Sequence, residues 1–407
     1  MKKHIITSIF IALSHLLLKG QNGNILRCGF PSDSISLKKM EQFDIHLRQN
    51  GNNIYQRSAI IIPVVVHIVK NTIDEVISDE TIFSQIDVLN RDFNAHNADL
   101  NKVPTEFKKH IATSSIRFCL THKDTNGNAT TGILRVSTKV HVIGLKDSLF
   151  DTKTGGSTAW NPDKFLNIWV ANTGDFITGI GSYPNLVPPY KSGIIVHPRY
   201  FGKNKTTKFG LGRVAVHEVG HYLGLYHIWG KTNDTICETG DEVADTPPQL
   251  YAHSECPSYP QYSCGQSSMF MNIMDYVSDP CMLMFTEGQM LRMLATISTY
   301  RNGLLNTDVT CIVNPNNDVS CFVYPNPTNL GHIKINLKIG NNTPQGINEW
   351  GTIRLFNYQG QLIIQRPVLA NINELTLDLL GISNGLYLLS IEIAHQDIFL
   401  QKIIILN

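Results

Sequence analysis

The sequence lacks several features, and each absence narrows what the chain can be. Its formal net charge is only +1 over 407 residues, and no long run of like charge occurs. Nothing therefore points to a nucleic-acid partner or to a polybasic membrane contact. Beyond the N-terminus, no apolar run reaches the ~20 residues of a membrane-spanning helix, so no transmembrane span is expected in the mature form. The C-terminal part shows no aromatic platform of the kind that stacks on sugars. The N-terminus, by contrast, has Lys2 and Lys3 followed by an apolar run from Ile5 to Leu18, the pattern of a secretory signal. Residues 1–20 are read as that signal. The alternative is a signal anchor, for which the run is short. Export through the periplasm to a secreted or surface-attached state puts the eight cysteines where disulfides persist.

The stretch Val216–Ile228 reads V-H-E-V-G-H-Y-L-G-L-Y-H-I. On a helix, His217 and His221 lie one turn apart on one face, where two imidazoles can converge on a zinc ion with Glu218 beside them. Gly224 can take positive φ and end the helix abruptly, so that the chain turns back and His227 supplies a third nitrogen. Three protein nitrogens leave one position open, the arrangement of a catalytic rather than a structural zinc. Val214, Val216, Val219 and Leu223 fall on the apolar phases of the same helix.

The motif H-E-x-x-H-x-x-G-x-x-H resembles that of the metzincin metallopeptidases. That resemblance implies a Met-bearing turn beneath the metal, and Met271-Asn272-Ile273-Met274-Asp275-Tyr276 is similar to one. Met274 would be the apolar floor, and Tyr276 would add a hydrogen bond at the metal site. The segment Thr239–Pro248, with its neighbouring cysteines and this turn, resembles the pappalysin branch. From that resemblance come the pairs Cys237–Cys264 and Cys256–Cys281, a calcium ion near Asp241, Asp245 and Thr246, and Asp279 in the wall of a specificity pocket favouring a basic residue after the cut. For the three calcium candidates, carboxylates capping turns are the competing reading.

Residues 21–57 are polar, show no sustained pattern, and are read as a propeptide. Within them, Arg27-Cys28-Gly29-Phe30-Pro31 resembles the cysteine switch of matrix metalloproteinase precursors, in which a thiolate holds the open metal position. A disulfide from Cys28 to Cys119 and a lipid-modified cysteine are the alternatives. If a basic residue is preferred after the cut, Gln56–Arg57 is a candidate self-processing bond. The partners of Cys28, Cys119, Cys311 and Cys321 are left open, Cys311 with Cys321 being one pairing.

Residues 58–305 are expected to form the catalytic domain. Strands are predicted at Ile60–Val69, Ile116–Leu120, Phe165–Ala171 and Ser192–His197. A helix capped by Ser78 runs to about Phe93, and a last helix starts near Phe285. The order predicts a mixed sheet with active-site and backing helices, an α+β class that the metzincin resemblance also implies. An edge of that sheet could take an extended peptide substrate. His67 and His197 lie on strands and are read as satisfied polar residues. Residues 306–320 are read as a linker. Residues 321–407, with six short strands from Ile333 to Leu406, are read as a small all-β sandwich. The string Tyr324-Pro325-Asn326-Pro327-Thr328 and the closing Gln401–Ile405 resemble the C-terminal sorting domain of type IX secretion, which implies a translocon as partner. Taken together, the expectation is a secreted zinc metalloendopeptidase acting on proteins or peptides and made as a latent precursor. The alternative is a non-catalytic zinc-bearing surface adhesin.

Overall fold

The computed structural model describes residues 26–50 (30 and 32 excepted), 60–71, 76–114, 116–121, 123–203, 207–231, 237, 240–305, 311–312, 319–339, 349–357, 359–369, 374–393 and 397–406. The expected signal segment and the Gln56–Arg57 bond lie outside these residues. In chain order the first part runs β1 (Leu26–Cys28), α1 (Ser34–Asn50), β2 (Ile60–Lys70), α2 (Asp79–Phe93), β3 (Ile116–Thr121), β4 (Ile133–Ser137), β5 (Leu166–Ala171), β6 (Ile177–Gly181), β7 (Ile194–Val196), α3 (Arg213–Tyr222), β8 (Tyr262–Ser263), β9 (Gln266–Ser267), α4 (Glu287–Tyr300) and β10 (Cys311–Ile312).

Strand β2 is a β-branched run buried along nearly its whole length, as the central strand of a sheet covered on both faces must be. Its first half pairs parallel with β3 and its second half parallel with β4, while β5 runs parallel along its other side. The sheet order is β1-β6-β7-β5-β2-β3-β10, with β4 also on β2. Strand β6 reverses direction and pairs antiparallel with β7. Helix α2 starts at Ser78, whose hydroxyl accepts from the Thr81 amide at 3.2 Å. It buries Ile82, Ile86, Leu89 and Phe93 in the same core as Val214, Val216, Val219 and Leu223 of α3. Helix α4 begins with a reciprocal capping box between Thr286 and Gln289.

Several elements depart from the sequence expectation. Residues 21–57, read as a patternless propeptide, contain the 17-residue helix α1. Met40, Phe43 and Leu47 are buried there in a cluster with Tyr183, Tyr226 and Ala295. Each such side chain contributes about 1.5–3 kcal/mol by burial, enough for a mostly polar helix to be held by one stripe. Strands β4 and β6 were not expected. The first is partly exposed, and the second carries Gly179 and Gly181, which weaken the strand signal. Within the expected linker, β10 pairs antiparallel with β3, Cys311 opposite Thr121 and Ile312 opposite Leu120. Cys119 is disulfide-bonded, whereas Cys28 is a thiol, so no Cys28–Cys119 disulfide forms. Among the described residues from Trp229 to Phe270, the β8–β9 hairpin is the one regular element. This stretch is tied by the disulfides Cys237–Cys264 and Cys256–Cys281, each with Cα atoms 5.6 Å apart.

The C-terminal part is a sandwich. One sheet orders β11 (Val319–Tyr324), β12 (His332–Ile339) and β15 (Glu374–Asp378); the other orders β14 (Leu362–Leu369), β13 (Glu349–Asn357), β16 (Gly385–Ile393) and β17 (Asp397–Ile405). Its own core takes Ile333, Ile335 and Leu377 from the first sheet and Ile353, Leu355, Leu389, Ile391 and Ile403 from the second. Among the described residues, no helix is long and apolar enough to cross a membrane.

Candidate active site

The site is built on α3, and several groups fix where that helix starts. Gly212 precedes it with φ +80°. Asp279 is fully buried, and its Oδ2 accepts from the amides of Leu211 (2.9 Å) and Arg213 (3.2 Å). The carboxylate therefore neutralises the positive end of the helix. Arg213 is buried too, donating to Asp92 at 2.9 Å and to both oxygens of Asp99 at 2.7 and 2.8 Å. Asp279, expected in a pocket wall, lies under the helix start with its Oδ2 accepting from backbone amides.

The helix ends as abruptly as the sequence suggests. Gly224 has φ +88°, and a Cβ there would stand 2.4 Å from Thr296 Oγ1. Only glycine meets both demands without strain. Two donors, Tyr183 Oη and Arg292 Nε, each reach the Gly224 carbonyl at 2.8 Å and hold the reversal. Beyond it His227 comes back onto α3, its ring centroid 4.6 Å from His221 and 5.2 Å from His217. Trp229 stacks on His227 at 4.4 Å with an interplanar angle of 11°. The sequence reading missed Trp229; its only signal is a position two residues after the third histidine.

Strand β6 lies directly against α3 because its glycines permit it. A Cβ at Gly179 would stand 2.7 Å from the Glu218 side chain, and one at Gly181 would stand 2.4 Å from the Glu218 carbonyl. Below the helix, Met274 is buried, and its sulfur would lie 2.5 Å from a Cβ at Gly220, so that glycine is what lets the methionine pass under the histidines. Tyr276 is half-buried with its ring 4.8 Å from His227 and 5.9 Å from His217.

The imidazoles are oriented by backbone carbonyls. His217 Nδ1 lies 2.7 Å from Ile273 O, and His221 Nδ1 lies 2.8 Å from Leu225 O. Those contacts put the hydrogens on Nδ1 and turn the Nε2 lone pairs inward. Burial holds His221 neutral by pushing its pKa down to about 4. Its Nε2 nevertheless stands 3.1 Å from His227 Nε2. Ligand atoms of Cys28, His217, His221 and His227 all lie within 4.8 Å of one another. Ligands about 2.0–2.3 Å from a shared zinc ion stand roughly 3.3–3.6 Å apart, so this nitrogen-and-sulfur set fits that ion in number and softness and needs only a small contraction to reach its spacing. Glu218 is fully buried beside it, and the Cys28 thiol donates to Glu218 Oε2 at 3.3 Å. Cys28 is delivered by β1, which pairs parallel with β6, Cys28 opposite Gly179. The sheet edge expected to receive a peptide is thus occupied by the chain's own N-terminal strand.

The calcium candidates are arranged otherwise. Asp241 is buried and accepts from Thr246 Oγ1 at 2.6 Å, and burial raises its pKa to about 7. Asp245 turns to the start of α4, accepting from Thr286 Oγ1 at 2.7 Å and the Gly288 amide at 2.9 Å. Asp245 thus caps α4, whereas Asp241 uses only Oδ1 in these hydrogen bonds and its Oδ2 is buried without a hydrogen-bond partner among the described residues. His67 lies between Ser157 Oγ (2.8 Å) and Asn167 Oδ1 (3.0 Å), and His197 Nδ1 accepts from the Arg199 amide at 3.1 Å. Neither approaches the cluster as a ligand.

Comparison with known proteins agrees with this geometry. Residues 151–298 match the M43 peptidase family described as pregnancy-associated plasma protein-A, and residues 322–406 match the secretion system C-terminal sorting domain. The chain is therefore secreted or surface-attached. An extracellular metalloprotease of Arthroderma otae is 37% identical over 145 residues, which make up 34% of this chain and 53% of the relative, so the chain spans about half the length of that curated relative. Another from Arthroderma gypseum is 27% identical over 65% of this chain and 82% of its own. Among solved structures, a mutant of Tannerella forsythia promirolysin is 35% identical with a TM-score of 0.65, covering 69% of this chain and 97% of that one. Mature mirolysin from the same organism, in complex with a cleaved peptide, is 39% identical with a TM-score of 0.57, covering 62% and 100%. A metzincin-like peptidase fold, a three-histidine cluster with its glutamate and this similarity over nearly the full length of promirolysin lead to one conclusion: the chain belongs to the M43, or pappalysin, family of metallopeptidases.

Proposed function

We propose that the chain is a zinc-dependent endopeptidase, made as a latent precursor and exported, that hydrolyses peptide bonds in proteins. The observation that carries this reading is the convergence of His217, His221 and His227 beside the buried carboxylate of Glu218. A zinc ion held by the three Nε2 atoms would supply Lewis acidity toward a carbonyl and a water molecule. Glu218 takes the proton of the attacking water and returns it to the leaving amine. Tyr276, beside His227, donates its hydroxyl to the developing oxyanion. The edge of β6 binds the substrate backbone once β1 has left, by the same main-chain pairing that holds β1 now.

Latency follows from the same contacts. Cys28 stands where a nucleophilic water would have to stand, and its thiol engages the base that would activate that water. A calcium ion at Asp241, Asp245 and Thr246 would meet hydrogen bonds already made by Asp241 Oδ1 and both Asp245 oxygens, while the buried Asp241 Oδ2 has no hydrogen-bond partner among the described residues. A basic preference after the cut needs a carboxylate facing the cleft, and Asp279 Oδ2 already accepts from the amides that start α3.

The test is digestion of a peptide library by the secreted chain, compared with Glu218→Ala and with chelator-treated chain. Cleavage is expected to fall by several orders of magnitude in both, and the library reads the residue after the cut directly. Cleavage that survives both treatments overturns the proposal. An adhesin would have no use for the buried base and would show no cleavage before or after removal of residues 21–57.

A further inference from the structure

Helix α1 docks on the peptidase part at a place separate from the Cys28 contact. We propose that this place is a second peptide-binding site, selective for a helix that presents an aromatic residue followed by a carboxylate, and that α1 of this chain is its occupant. The proposal rests on the latency reading above. It makes the prosegment a two-point inhibitor in which α1 binds whether or not Cys28 engages.

Met40, Phe43, Asp44 and Leu47 share one face of α1. Asp44 is 1% exposed. Its Oδ1 accepts from Arg292 Nη2 at 2.5 Å, and its Oδ2 accepts from Tyr226 Oη at 3.1 Å and pairs with Lys231 Nζ. One buried carboxylate of the prosegment is thus met by three donors of the peptidase part. Phe43 inserts beside it, 5.1 Å from the Tyr183 ring and 4.7 Å from the Tyr300 ring, with the Arg292 guanidinium 5.5 Å from its own ring. One turn on, Arg48 reaches Glu242 Oε2 at 3.2 Å, while Lys231 holds the other oxygen of Glu242 at 3.1 Å.

A helix held by apolar contacts alone would not bury a carboxylate, because the desolvation is costly unless cations stand ready. Those cations belong to the peptidase part and stay when the prosegment is removed. Arg292 grips Asp44 and also donates to the Gly224 carbonyl, so the occupant of the site touches the turn that delivers His227. Phe43 reaches the same turn, since a Cβ at Gly224 would lie 3.0 Å from its ring. The recognised chemistry is therefore an amphipathic helix with a Phe-Asp pair, read by an aromatic wall and two cations.

The experiment uses the full chain. Asp44→Asn keeps the shape and removes the charge, and amide hydrogen exchange reports on α1. Exchange across residues 34–50 is expected to accelerate by about tenfold or more in Asp44→Asn, with β2 and α4 unchanged. A labelled peptide of residues 33–50, which lacks Cys28, should then bind the Asp44→Asn chain in trans by fluorescence anisotropy, and the same peptide carrying Asp44→Asn should not. Cys28→Ser should leave α1 as protected as in the parent chain. Unchanged protection of α1 in Asp44→Asn overturns the proposal, and so does release of α1 by Cys28→Ser alone. If Asp44→Asn does not accumulate folded, Lys231→Met, altering a partly exposed side chain, gives the same reading with a smaller acceleration. None of these readouts depends on peptide cleavage, so a failure of the peptidase reading appears only in the library digestion.

Discussion

Gly224 shows how one residue sets the geometry of a site. Alanine there would meet a left-handed backbone, at about 1–2 kcal/mol, and would also overlap Thr296. Gly224→Ala is expected to lower the unfolding temperature and to deplete bound zinc, measured by thermal denaturation and by metal content of the purified protein. His67 gives a second residue-level prediction. Burial pushes its pKa from 6.5 down to about 4, so the unfolded chain binds the proton more tightly than the folded one. Its contribution to stability is fully present above pH 6.5 and is lost as the pH falls through about 4. His67→Gln should flatten that dependence by up to about 1.4 kcal/mol per pH unit, read from urea titrations at several pH values. At this scale the sequence was informative wherever chemistry fixes spacing: His217, His221, Gly224 and His227 follow one another at intervals that the helix and its reversal dictate. Trp229, Arg292 and Tyr183 escaped because their roles depend on contacts across long stretches of chain, which no local pattern records.

Among the elements, those with explicit end signals were legible and those without were not. Ser78 announces α2, and the pair Thr286 and Gln289 announces α4. The buried stripe of α1 is interleaved with lysine, glutamine and glutamate, so its average polarity hid a helix that its spacing of three and four would have revealed. Strand β6 was hidden for the reason that makes it useful: its glycines depress strand propensity while letting it lie against Glu218. Helix α3 lacks a capping side chain of its own and takes one from a distant loop. Asp279→Ala is accordingly expected to cost about 1–2 kcal/mol, seen as a lower denaturation midpoint with an unchanged slope. Its effect on the residue preferred after the cut should be small beside that loss.

At the scale of the whole molecule, the described residues form two principal hydrophobic cores with no buried residue in common, one around β2, α2 and α3 and one inside the C-terminal sandwich. Two unfolding transitions are therefore expected in calorimetry, and a chelator should shift only the one belonging to the peptidase part. The division into a peptidase part and a sandwich was readable from composition and strand spacing. That β10, from the expected linker, and β1, from the propeptide, would complete the peptidase sheet was not, because neither two nor three residues make a pattern.

Those two short segments stand at opposite ends of the sheet order. The two flanks of the central platform end in strands too brief to template another chain. If the proposed processing removes β1, the longer β6 would be bared, and the resulting molecule would gain a surface that either guides a polypeptide across it or, unfilled, invites self-association.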